Sequence, residues 1–115
     1  MKDRTDTFLR ILSIEISDME EGVEVLLAST AERHSRHEIT EYVWTENSAL
    51  LKHELHILQI IHAKLDGLDP NQFESIEALI TAIRADLDGR EDLPRALYSF
   101  FMRKIEKVKR YMEQE

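Results

Sequence analysis

With no cysteine in 115 residues, metal ligation would fall to five histidines and 23 aspartates and glutamates. His34 and Glu38 are four apart and His53 and His56 are three apart, so each pair can share a helix face. Imidazole and carboxylate together suit zinc or iron. A chain turn near His34 and Ser35 would put His53 about 27 Å along the second helix, far from His34 and Glu38. That level of the second helix would face Glu15 and Asp18 on the first. His53, His56, Glu15 and Asp18 are therefore the one metal cluster the spacing allows. The Glu-x-x-His pairs of di-iron helix bundles are absent. The plainer reading is half-exposed surface or interface histidines, with no metal or cofactor.

A second pattern is acidic. Glu20-Glu21-Gly22-Val23-Glu24 reads E-E-x-x-E, and Glu38-Ile39-Thr40-Glu41 follows as E-x-x-E. About 22 residues in all, this stretch resembles the carboxylate arrangement of the all-α nucleoside triphosphate pyrophosphohydrolases. The resemblance implies that Glu20, Glu21, Glu24, Glu38 and Glu41 hold Mg²⁺ against a nucleotide's phosphates, oxygen being the ligand that hard cation needs. The family ends its second motif in Asp, where this chain has Glu41. Glu20, Glu21 and Glu24 also fall off the apolar seam of their helix, as an ordinary solvated face does. Nucleophilic catalysis has no constellation here, with neither a cysteine nor a Gly-x-Ser-x-Gly turn.

The elements that would position these residues are helices. No glycine or proline interrupts the chain between Gly22 and Gly67, and those two residues are the strongest helix breakers. Leu9, Leu12, Ile16, Met19, Val23, Leu26 and Thr30 repeat at three and four, which predicts a first helix starting near Asp3 to Asp6. Ser35-Arg36-His37-Glu38 fits a capping box, so a tight turn is expected at His34 and Ser35. The second helix, from about Ile39 to Leu65, is apolar on several faces and should end with Gly67 in the left-handed C′ position. Asp69 and Pro70 then predict the start of a third helix, with Phe73, Ile76, Ile80, Ile83 and Leu87 facing the core and Gly89 closing it. A fourth begins near Leu93-Pro94, with Leu97, Phe101, Ile105, Val108 and Met112 on one stripe.

The expected fold is all-α: one domain over 1–115, a four-helix bundle made of a long helical hairpin and a shorter one. The net charge of −8 argues against nucleic acid, which is bound by neutralising phosphates. The charge is uneven. Residues 93 to 112 hold six cations against Glu106, whereas residues 11 to 32 hold six acids and no Lys or Arg. Complementarity between the first and fourth helices, within or between subunits, accounts for both. No apolar run reaches the length of a membrane span, and the charged start, Met1 to Asp6, leads into no signal-peptide core. A cytoplasmic protein without membrane attachment is expected.

A long hairpin overhanging a short one leaves apolar surface to cover, and twofold dimers are the commonest cover. Tyr42, Trp44, Leu51 and Leu58 are the residues expected at such an interface. The function this favours is a non-enzymatic interaction or regulatory module, homodimeric or bound to another protein. A divalent-metal-dependent nucleotide hydrolase and a His/carboxylate metal binder are the rival readings.

Overall fold

The computed structural model describes residues 2–114, and over them the chain is all-α, with no strand. Helix α1 spans Lys2–Ser35, α2 Glu41–Asp66, α3 Ile76–Asp88 and α4 Arg95–Glu113, with a 3-10 turn at Pro70–Gln72. None of these is long and apolar enough to cross a membrane. The chain divides into two compact units, one of residues 1–15 and 64–115, the other of residues 16–63.

The first unit holds most of the core. Phe8, Leu9 and Leu12 of α1, Leu65 of α2, Leu79, Ile80, Ile83 and Leu87 of α3, and the α4 stripe from Leu97 to Met112 are all buried. All five residues expected on the α4 stripe, Leu97, Phe101, Ile105, Val108 and Met112, are among them. Polar side chains tie the elements of this unit together at its edges. Lys104 and Lys107 reach Glu15, Lys109 reaches Glu77, Lys64 reaches Asp86, and the Ser13 hydroxyl donates to Asp66.

Three local expectations are corrected. The third helix is split: Asp69 caps only the 3-10 turn, and Ser75 caps α3 by accepting from the Ala78 N–H at 3.1 Å. Phe73 and Ile76 are in consequence only half-buried, and Leu79 takes the core position. Gly67 is not left-handed, since no glycine has positive φ. Nor does Ser35 cap α2. Ser35 is the last residue of α1, and its hydroxyl donates to the Glu32 carbonyl.

The turn between α1 and α2 is instead a Schellman ending followed by a separate cap. The Glu38 N–H donates to the Arg33 carbonyl at 2.9 Å and the His37 N–H to the His34 carbonyl at 3.0 Å. This paired pattern satisfies the last helical carbonyls and requires a left-handed residue at C′. His37, at φ 62, fills that place usually given to glycine. Thr40 then caps α2, accepting from the Val43 N–H at 3.1 Å.

The second unit is the far part of α1, this turn and most of α2. Two cross-hairpin contacts fix its register. The His34 ring stacks on Trp44 with centroids 4.2 Å apart and planes 8° off parallel. Eighteen residues along α2 from Trp44, His62 Nδ1 lies 2.9 Å from a Glu20 oxygen.

Candidate functional site

The hairpin geometry separates the acidic pattern. Glu24 lies 11 residues before the end of α1, about 16 Å along the axis, whereas Glu38 lies in the turn and Glu41 is the first residue of α2. Glu38 sits beside Arg33 and Arg36, at 3.7 and 3.9 Å, and Glu41 is 2.8 Å from His34 Nε2. Glu20 faces His62, and Glu21 and Glu24 point into solvent. The five carboxylates named from the pyrophosphohydrolase resemblance are thus distributed over three places.

The His53, His56, Glu15 and Asp18 grouping is not brought together either. His53, His56 and Asp18 are exposed. Glu15 is largely covered, and one of its oxygens takes both Lys107, at 3.0 Å, and Lys104, at 3.2 Å. Burial raises its pKa, but the hydrogen bonds and charges of the two lysines outweigh this and hold it below the usual carboxylate value. That carboxylate is committed to two ammonium groups. Among the described residues no three His, Asp or Glu side chains are grouped to hold a metal ion.

The unusual surface lies on the hairpin of residues 16–63. On α2, Trp44, Ser48, Leu51, Leu55, Leu58 and His62 recur at four and three. The contacts of Trp44 and His62 identify this row as the one turned toward α1. Leu58 is fully buried in the chain, and Trp44 and Leu51 are half-buried along the same row. Of the four residues expected at an interface, these three therefore serve the hairpin's own seam, and Leu58 has no surface to offer a second subunit. Tyr42 is mostly exposed, but it points away from the seam on the outer side of α2.

One residue before each seam position, about 100° round the helix, runs a second row: Val43, Asn47, Leu50, Glu54, Ile57 and Ile61. Its members are buried at Ile57 and Ile61, half-buried at Glu54 and exposed at Leu50, Asn47 and Val43. The matching row on α1 is Met19, Gly22 and Leu26, one place before Glu20, Val23 and Leu27. Because α1 and α2 run antiparallel in this unit, the two rows lie on the same side of the hairpin. Leu26 and Leu50 on that side are 54% and 56% exposed. Gly22 lies between Met19 and Leu26, and a Cβ built on it would meet nothing within 4 Å. Its helical cost, about 1 kcal/mol relative to alanine, is not explained by any close approach within the chain.

Missed in the sequence was the distinction between these two rows of α2. Ser48 and His62 interrupt the apolar run of the seam, so the signal that separates seam from outer row is the strict four–three spacing and not hydrophobicity. Comparison with family models, with curated proteins and with solved structures finds no match for this chain.

Proposed function

We propose that this chain is a non-enzymatic helical interaction module that self-associates as a homodimer. In this reading it is a single domain over 1–115, its helices forming a four-helix bundle from a long hairpin and a shorter one, and it works in the cytoplasm. A cysteine-free chain is at home in that reducing compartment.

The observation that carries the proposal is the bare row of the hairpin, where Leu26, Val43 and Leu50 share one exposed side with an open Gly22. Exposed apolar side chains gathered on one face, unlike the same residues scattered, mark interaction surfaces. A glycine with free space above it admits a close neighbour from outside the chain. The face is repeated on every copy, and a twofold axis lets each cover the other.

Light scattering at micromolar concentration is expected to give about twice the 13.5 kDa chain mass. Leu50→Glu should shift it to monomer with helicity kept, since Leu50 is not part of the internal core. A 13.5 kDa species throughout the concentration series would remove the dimer. Pyrophosphate release from nucleoside triphosphates with Mg²⁺, lost in Glu21→Gln, would replace the whole reading with the hydrolase.

A further inference from the structure

Two helices carry outward stripes of the same design and opposite charge. On α1 the stripe is Ile14, Asp18, Glu21 and Val25; Asp18 and Glu21 are exposed, and Ile14 and Val25 are exposed large apolar residues. On α4 it is Phe100, Arg103, Lys107 and Tyr111, again with exposed apolar ends and two exposed charges between. In each, the apolar ends are 11 residues apart, about three turns or 16 Å. Each therefore reads apolar, charge, charge, apolar along one helix face, negative on α1 and positive on α4.

The chain's internal pairing takes only Lys107 of these four charges and leaves that side chain largely exposed. Glu15 takes Lys104 and Lys107, and Glu77 takes Lys109. Asp18 and Glu21 have no cationic partner among the described residues. Arg103 has no carboxylate partner there, and its guanidinium lies over the Phe100 ring at 4.8 Å from the centroid. Lys107 keeps a 63% exposed side chain despite its bond to Glu15. The remaining cation on that side, Arg110, is also exposed and adds to the positive field.

We propose that the α4 stripe of one copy docks on the α1 stripe of a second copy, pairing Arg103 and Lys107 with Asp18 and Glu21 between two apolar clasps. This goes beyond the hairpin dimer and does not depend on it. The contact joins two different surfaces, so it is head-to-tail and extends the assembly past the dimer or closes it into a ring. A second copy is the occupant because the complementary stripe, with matching length and order, is in this same chain. An excess of eight negative charges makes copies repel one another at low salt. Association that strengthens as salt is withdrawn would therefore report these local pairs and not general attraction.

The test is mass by light scattering or sedimentation in about 20 mM and about 500 mM salt, Debye lengths of roughly 20 and 4 Å. At low salt the mass is expected to be at least twice its high-salt value. Arg103→Glu, on an exposed site, should abolish the rise with the melting curve unchanged. Adding Asp18→Arg or Glu21→Arg to that variant should restore it, and whichever restores it gives the direction of the two helices. No rise in the unaltered protein, or no rescue by either second change, overturns the proposal. Binding of anionic lipid vesicles that is lost in Arg103→Glu, without any rise in mass, would reassign the α4 stripe to membranes and overturn it equally. The hairpin dimer is read separately at high salt. Leu50→Glu should lower the starting mass there and leave the salt-dependent rise in place.

Discussion

In the unit of residues 1–15 and 64–115, Leu12, Leu79, Phe101 and Val108 are each no more than 2% exposed. In the unit of residues 16–63, Val25, Leu26, Tyr42 and Leu50 are each more than half exposed, as large as the side chains hidden in the other. The first unit packs α3 and α4 with the ends of α1 and α2 and can surround its apolar residues. The second has one helix pair, which covers the seam of each helix, and the outer row of α2 is buried only at Ile57 and Ile61. Its seam also spends positions on Ser48 and on Glu20 and His62, which pair with each other, where the first unit has mostly hydrocarbon. Polar positions in a seam set register more than they add stability. The contrast is between a unit whose large apolar side chains are enclosed and one that leaves several of them exposed.

The largest effect should separate the two directly. Phe101→Ala is expected to cost about 3 to 5 kcal/mol by urea melt, through lost burial and the cavity left behind. Leu50→Ala, measured on dilute protein, should stay within about 0.5 kcal/mol, as surface changes do. Equal costs would erase the distinction. Next comes Gly22→Ala. With nothing within 4 Å of the new methyl, it should stabilise α1 by about 1 kcal/mol while weakening self-association. If stability and association both rise, Gly22 is not where a partner approaches.

His37→Gly should be smaller. The left-handed conformation costs a non-glycine residue about 1 to 2 kcal/mol, and the extra freedom of glycine in the unfolded chain returns part of that. A net gain of about 0.5 kcal/mol is expected by thermal melt, and a loss would mean that the His37 side chain has a role of its own.

The smallest effect belongs to the first unit and to acid. Glu15 has a lowered folded pKa, so its contribution is complete above its ordinary value of 4.5 and is lost as pH falls through the lowered one. Melting temperature should therefore fall less between neutral pH and the acid side of 4.5 in Glu15→Gln than in the unaltered protein. Parallel curves would show that the two lysines do not stabilise the charged form.

The two units also differed in how far they could be read from residues alone. On α4, Leu97 through Met112 lie on one clean stripe with charges elsewhere, and every expected core position is buried. The start of α3 was obscured because two caps, Asp69 and Ser75, stand six residues apart, and the proline after the first favours it. In the hairpin, the turn expected at His34 and Ser35 lies just after them, because a histidine, His37, occupies the left-handed position that glycine normally flags. Trp44, Leu51 and Leu58 are expected at a subunit interface because α2 is apolar on several faces. Only the partner helix decides which of those faces is internal. The acidic pattern is spread out for a related reason: spacing within a helix is legible, but the level at which two helices face each other depends on where the turn falls.

The first unit is discontinuous, with 48 residues, 16–63, inserted between its N-terminal helical segment and everything else. Bringing the two ends of a flexible excursion of that length together costs roughly 3 kcal/mol in chain entropy before any native contact is made. The hairpin contacts are far more local than that, and α1 and α2 can zip from their turn. Once His62 has met Glu20, residues 15 and 64 are no longer separated by a random loop. The hairpin is therefore expected to form first and to act as the jig for the unit with the larger buried core. Slowing the turn should delay the whole fold, while weakening the α3–α4 core should chiefly hasten its loss.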